Sequence, residues 1–257
     1  MSNEIDLPDY ESWIQRIYES VLKPGDFAID AGAHVGRHCI PMASGVAPLG
    51  KVFAFEPLPV CIDALRNLVT QNYPNLSTVV DIQQLALGKA DRESSFVVAE
   101  DLLAYSGLRM REYDGPTRTR TINVHVKTID GLFEGCVKYI RYIKIDAEGG
   151  EFDILQGAAK ILRTHRPLVT FEFGMNSARA YEVQPGMLHR FLVSLDYFIF
   201  DVEGKQLGET EFEQSSHHQR LWDYVAIPRE SEQLLLGFQQ ALSELFPDRH
   251  VGIRVQT

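Results

Sequence analysis

Hydrophobic and polar positions along this chain follow two periods. Short apolar runs at 27–29, 51–55, 79–84, 139–145, 168–173, 197–202 and 222–227 have the length of buried strands. Between them, apolar residues recur at helical spacing. Residues 9–21 place Trp13, Ile14, Ile17, Tyr18 and Val21 on one stripe, which Pro24 and Gly25 then stop. Further helices are predicted at 37–46, at 60–71, after residue 150 (Ile154, Leu155, Ala158, Ile161, Leu162), at 187–195 and at 230–246 (Leu234, Phe238, Leu242, Leu245). This βα alternation predicts an α/β protein with a seven-stranded, mostly parallel, doubly wound sheet, and the short connection expected between the last two strands suits an antiparallel final pair. The rhythm is interrupted once. The β-branched segments 95–99 and 122–126 predict an inserted β-ribbon, separated by a long polar stretch at 100–121. The first helix is expected to cover the mouth of a site or an edge of the sheet. The last is expected to pack on the sheet, or alternatively to supply the contact of a homodimer.

The first strand leads into Asp30, Ala31, Gly32, Ala33, His34, Val35 and Gly36. Glycines at 32 and 36 admit the torsions of a tight strand-to-helix turn, whose following helix start would offer free N–H groups at the carboxyl end of the sheet. A dinucleotide turn would read G-x-G-x-x-G, whereas an acidic residue, Asp30, stands at the start here. A carboxylate suits a cationic ligand better than a pyrophosphate. The second strand ends in Glu56 and Pro57, 24 positions after Gly32. That is close to the spacing at which such folds set a carboxylate against a ribose diol. After the third strand, Leu85 and Ala86 stand where an adenine would lie.

Composition narrows the field. Hydrophobic residues make up 45% and charged residues 23%, ordinary for a globular chain. A net charge of −10 argues against generic binding to nucleic acid or to an anionic membrane surface and favours a small-molecule partner. Cys39, Cys61 and Cys136 suggest neither a disulfide framework nor a zinc site. No apolar run approaches a membrane span and the first residues do not read as a secretory signal, so a cytoplasmic protein is expected.

Four stretches together carry a family resemblance: 30–36, Phe55-Glu56-Pro57, 143–151 (Ile-Lys-Ile-Asp-Ala-Glu-Gly-Gly-Glu) and 166–172 (Arg-Pro-Leu-Val-Thr-Phe-Glu). Through them the chain resembles the FkbM family of S-adenosylmethionine-dependent methyltransferases over roughly residues 20–175. The run 144–157 is the most specific part. The resemblance implies a Rossmann-like class I methyltransferase fold, S-adenosyl-L-methionine as cofactor with Asp30, Gly32 and Glu56 in contact with it, and methyl transfer to a hydroxyl of a sugar, glycan or natural product. The sulfonium cofactor is also the cation that best suits Asp30. His34 and Arg37 stand where the family commonly has asparagine and an aromatic residue. One domain is expected over 1–257: a helical cap at 1–24, a core at 25–228 with the ribbon and loop inserted at 94–127, and a helix and tail at 229–257.

The expected cofactor set is Asp30, Gly32, His34, Gly36, Glu56, Pro57, Leu85, Ala86 and Asp146. Methyl transfer requires an aligned nucleophile and removal of its proton. Asp146, at the end of the fourth core strand, and Glu148 are the candidate catalytic bases. The same carboxylates could hold a divalent metal that acidifies the hydroxyl, or Glu148 and Glu151 could only satisfy a helix start. Tyr105, Ser106, Arg109 and Arg111, in the long polar stretch, are the candidate acceptor-binding residues, the arginines suiting an anionic group. Two rival readings share the fold, a nicotinamide-dependent oxidoreductase and a non-catalytic cofactor-binding module. Asp30 and the missing third glycine disfavour the first, and the acidic cluster around Asp146 disfavours the second.

Overall fold

The structure is a computed structural model describing residues 9–113, 115–136 and 138–249. The first eight residues and the tail beyond 249, on which the expectations about the start and the end of the chain fall, lie outside the described residues. Among the described residues ten strands form: β1 Phe27–Ala31, β2 Lys51–Phe55, β3 Val80–Gln83, β4 Ala86–Leu87, β5 Arg92–Ala99, β6 Thr119–Lys127, β7 Ile140–Ile145, β8 Leu168–Glu172, β9 Tyr197–Asp201 and β10 Asp223–Pro228. Seven of them make one sheet in the order β3-β2-β1-β7-β8-β10-β9. The five from β3 to β8 run parallel, and β10 lies antiparallel between β8 and β9. This is the predicted class I methyltransferase sheet with its antiparallel end.

Helices are α1 Tyr10–Val21, α2 Cys39–Val46, α3 Pro59–Asn67, α4 Ile129–Leu132, α5 Glu151–Gln156, α6 Ala159–Thr164, α7 Met175–Ala178, α8 Pro185–Ser194, α9 Glu209–His218 and α10 Glu232–Leu245. Successive strand residues point to opposite faces and so feed two cores. Ala28, Tyr142 and Val225 join α1, α2 and α10 on one face, while Ile29, Ile143 and Ala226 join α5, α6 and α8 on the other. The α10 stripe of Leu234, Phe238 and Leu242 is fully buried in the first core. It therefore packs within the chain, each side chain contributing roughly 1.5–3 kcal/mol by leaving water.

Several boundaries depart from expectation. The connection between β9 and β10 is not short, because it contains α9, a polar helix that buries only Phe212 and Ser216 and so carries little apolar signal. The helix after the glycine turn begins at Cys39, which leaves Pro41 in its first turn, where a missing N–H is harmless. The expected 60–71 helix is α3 followed by a π turn over Leu68–Asn72. What reads as one helix after residue 150 is two, α5 and α6, broken at Gly157. A Cβ there would overlap the Gly88 carbonyl oxygen, so the ribbon's base presses into the break.

The inserted ribbon has three strands rather than two. β5 and β6 pair antiparallel, with Phe96 opposite Ile122, and β4 adds in parallel to β6. Its inner face packs Ala86, Phe96, Val98, Val124 and Val126 against Leu58 and Cys61 at the start of α3, making a third core. The polar stretch beyond β5 is tied down: Gly107 bridges Val97, and the Ala99 N–H donates to Ser106 Oγ at 3.0 Å. Arg118 pairs with Asp101 and Arg120 with Glu100.

Candidate active site

The site lies at the carboxyl ends of β2, β1 and β7, where the sheet order reverses between β1 and β7 and a crevice must open. Backbone sews these ends together. The Asp146 N–H donates to the Ala31 carbonyl at 3.0 Å, and the N–H groups of Gly32 and Ala33 donate to the Phe55 carbonyl at 2.9 and 3.0 Å. Gly32 has φ +83, and a Cβ on it would overlap the Asp146 carbonyl oxygen. His34, itself at φ 45, gives its N–H to Glu56 Oε2 at 3.0 Å. The N–H groups of Gly32, Ala33, His34 and Gly36 are thus engaged within the chain.

Glu56 is 5% exposed. Its second oxygen, Oε1, accepts the Leu58 N–H at 2.8 Å, so each oxygen keeps an unused lone pair. Burial pushes its pKa up to about 7 against these two hydrogen bonds. Asp30 is 1% exposed, and neither of its oxygens has a partner. Burial raises its pKa, and the nearby Lys144 and His38 oppose the rise. An unpaired buried carboxylate is costly, and a cationic ligand relieves it. Glu56, Pro57, Leu85, Ala86, Phe96, Leu103 and Leu108 line the same cleft with Asp30, Gly32 and His34. Its residues fit the cofactor that the resemblance implies, with Asp30 toward its positive charge and Glu56 able to accept from a ribose diol.

Four carboxylates gather about the turn after β7, each in a different state, and two of them, Asp146 and Glu148, line this cleft. Asp146 is bridged by Lys144 Nζ at 3.0 Å; burial pushes its pKa up, but the ammonium outweighs this and holds it low. Glu172, at the end of β8, is driven well above the usual range by burial and by Asp146. Glu148 stands at φ 52 and is ion-paired with Arg111. Burial and Asp146 nonetheless push its pKa up to about 8. Glu151 belongs to the turn, as its Oε1 accepts the N–H groups of Ala147 and Gly149, both at 3.0 Å. Oxygens of Asp146, Glu148 and Glu172 lie within 4.8 Å of one another. A divalent ion could bridge such a group, yet Lys144 and Arg111 already neutralise two of the three, so no step below requires one.

Glu148 also lines a second cleft, with Tyr105, Tyr113, Glu172, Arg179 and Trp222. Of the residues singled out from the sequence, Asp30, Gly32, His34, Glu56, Pro57, Leu85, Ala86, Ser106, Asp146 and Glu148 line the first cleft, and Tyr105 and Arg111 the second. Gly36 and Arg109 line neither. Gly36 instead lets α3 approach, since a Cβ would stand 2.5 Å from Leu65 Cδ1. Three contributors went unmarked as site residues. Glu11 of α1 reaches the cleft and hydrogen-bonds His38 Nε2, which pulls its pKa down to about 2. Lys144 and Glu172 sit inside the resemblance motifs; Lys144 lies only two residues before its partner Asp146, whereas only the β7–β8 register, with Ile145 opposite Phe171, brings Asp146 to Glu172.

Among the described residues no helix is long and apolar enough to cross a membrane. Methyltransferase 1 of Beauveria bassiana (strain ARSEF 2860) is 27% identical over 172 residues, which cover 60% of this chain and 67% of that protein. Methyltransferase sdnD of Sordaria araneosa is 28% identical over 163 residues, 53% of this chain and 61% of the relative, so the likeness leaves over a third of that protein unmatched. The crystal structure of Methyltransferase FkbM from Methylobacillus flagellatus KT superposes with a TM-score of 0.50 at 15% identity, covering 82% of this chain and 49% of that one, a likeness of fold. Residues 30–199, well over half of the chain, match the family described as the Methyltransferase FkbM domain. The glycine turn, the Glu56 strand end, the carboxylate-bearing β7 turn and the strand after it all fall within that match, and the chain belongs to the FkbM methyltransferase family.

Proposed function

We propose that this protein methylates a hydroxyl of an oxygen-rich small molecule, a sugar, glycan or natural product, using S-adenosylmethionine. The observation that carries the reading is the meeting of two clefts at Glu148: the apolar and acidic one fits the cofactor, and the polar, aromatic-walled one offers hydrogen-bonding groups to an acceptor. When bound, the cofactor supplies a methyl group on a sulfonium, which leaves as a neutral thioether. The chain's part is to orient and to move one proton. Asp30 faces the positive charge, Glu56 accepts from the ribose diol, and Leu85 and Ala86 flank the base. Glu148 takes the proton of the acceptor hydroxyl as the oxygen attacks. It is a better base than Asp146, whose carboxylate is held by Lys144 and has little affinity for a proton. Asp146 and Lys144 hold the floor of the junction, and Tyr105 and Trp222 offer flat faces to the acceptor.

The test is calorimetric binding of S-adenosylmethionine, followed by measurement of its demethylated product with a panel of hydroxylated acceptors. Micromolar binding with acceptor-dependent turnover is expected. Binding of NAD in its place would make the chain an oxidoreductase, and binding without turnover on any acceptor would make it a cofactor-binding module.

A further inference from the structure

Arg111 reads from the sequence as a group that grips an anionic acceptor. Its surroundings give it a different task. Its Nη1 is ion-paired with Glu148 Oε2, and the side chains of the pair are only 13% and 12% exposed. Its guanidinium carbon lies 4.6 Å from the centroid of the Tyr105 ring, a cation–π distance. Tyr105 belongs to the tied-down segment whose Leu103, Ala104, Ser106 and Leu108 line the cofactor cleft. One cation thus joins the cover of that cleft to the carboxylate that both clefts share.

Glu148 needs such a partner. It stands in the left-handed region at φ 52, followed by Gly149 at φ +101, where a Cβ would come within 2.6 Å of the Ser177 carbonyl oxygen. The turn is therefore fixed, and the Glu148 carboxylate lies near Asp146 and Glu151, both of which disfavour its charge. Among the described residues Arg111 is the cation ion-paired with it.

We propose that Arg111 is a positioning residue, holding the Glu148 carboxylate aimed at the junction of the two clefts. This rests on Glu148 as the base. The rival is the acceptor grip: the Nε–H of Arg111 is buried without a partner and could donate to an acceptor in the second cleft.

Steady-state kinetics of Arg111→Met, Arg111→Lys, Glu148→Gln and Arg111→Met/Glu148→Gln separate the two, with thermal melting and cofactor affinity measured on each. Arg111→Met is expected to lower kcat roughly 10- to 100-fold, the scale of a misplaced catalytic group. Acceptor KM and cofactor Kd should stay within about two-fold, because Arg111 acts through Glu148 in the chemical step. Arg111→Lys should recover part of the loss, and the double variant should be no slower than Glu148→Gln alone. A raised acceptor KM with kcat intact in Arg111→Met overturns the proposal in favour of the acceptor grip. Equal loss in the Lys and Met variants with a lowered melting temperature overturns it in favour of packing. Full turnover in Glu148→Gln removes the base itself, and a Glu148→Gln loss with no kcat loss in Arg111→Met removes only the role of Arg111.

Discussion

Gly32 and Asp146 meet backbone to backbone across the floor of the cofactor cleft. The α-carbon of Gly32 is so close to the Asp146 carbonyl oxygen that any side chain would collide with it, and its φ of +83 independently excludes most residues. The first glycine of the turn and the candidate catalytic strand end are thereby set by one contact. Gly32→Ala combines left-handed strain, about 1–3 kcal/mol, with an overpacked contact of similar size. It should lower stability by several kcal/mol in urea unfolding and displace the turn, so that cofactor affinity falls even where the protein remains folded.

In the proposed function Glu56 has two jobs, which a pair of variants separates. Its oxygens accept the His34 and Leu58 N–H groups, and the residue lines the cofactor cleft. Glu56→Gln keeps one accepting oxygen and should weaken cofactor binding about 10- to 100-fold by calorimetry, the equivalent of one hydrogen bond to a charged group. Glu56→Ala should add a drop in melting temperature, since two backbone donors lose their acceptor.

The same burial predicts how apo stability depends on pH. Glu56, Glu151 and Asp223 are pushed up to about 7 by burial, from ordinary values of 4.5, 4.5 and 3.8. The folded state then binds more protons than the unfolded one between those limits, so stability falls as pH rises through this window. Their contribution is fully present below about pH 4 and is lost by about pH 7. Glu11, pulled down to about 2, acts in the opposite sense, its contribution being lost as pH falls toward 2. Thermal melts of the apo protein should show Tm declining from about pH 5 to 7.5, with a shallower slope in Glu56→Gln. A Tm that rises across this range would contradict these assignments.

Catalysis should follow Glu148. Its pKa of about 8 predicts that turnover climbs with pH through that region as the carboxylate ionises. Glu148→Gln should lower kcat roughly 10²- to 10⁴-fold and abolish the limb. Asp146→Asn, which unpairs Lys144, should slow turnover as well. A chelator should leave the wild-type rate intact, because Lys144 and Arg111 balance the cluster; a rate restored only by added magnesium would transfer the acidifying role to a metal.

How much of this was legible in the chain depended on sequence distance. The turn from Asp30 to Gly36 and the strand end at Glu56 are local patterns, and the structure sets Asp30 to His34 and Glu56 on one cleft. The seven-strand alternation was equally local. α9 stayed hidden because it buries so little, and the break at Gly157 because its cause is the carbonyl of Gly88. The pairing of Arg111 with Glu148 spans 37 residues. Nothing in the polar stretch distinguishes Arg111 from Arg109, which is exposed and lines neither cleft; only the docking of the segment decides which arginine turns inward. Glu11 is missed for the same reason, since α1 reaches the cleft through its packing on α2 and α10.

The central claim, methyl transfer from S-adenosylmethionine to a hydroxyl at the junction held by Glu148, is tested most directly with methyl-¹³C-labelled cofactor. Product formed by wild type from a polyhydroxylated acceptor would be analysed by mass and by carbon NMR, with Glu148→Gln in parallel. The label should appear as one methoxy carbon on the acceptor, and its rate of appearance should collapse in the variant. Label on nitrogen or carbon, or a methoxy product formed at the wild-type rate by Glu148→Gln, would contradict the account.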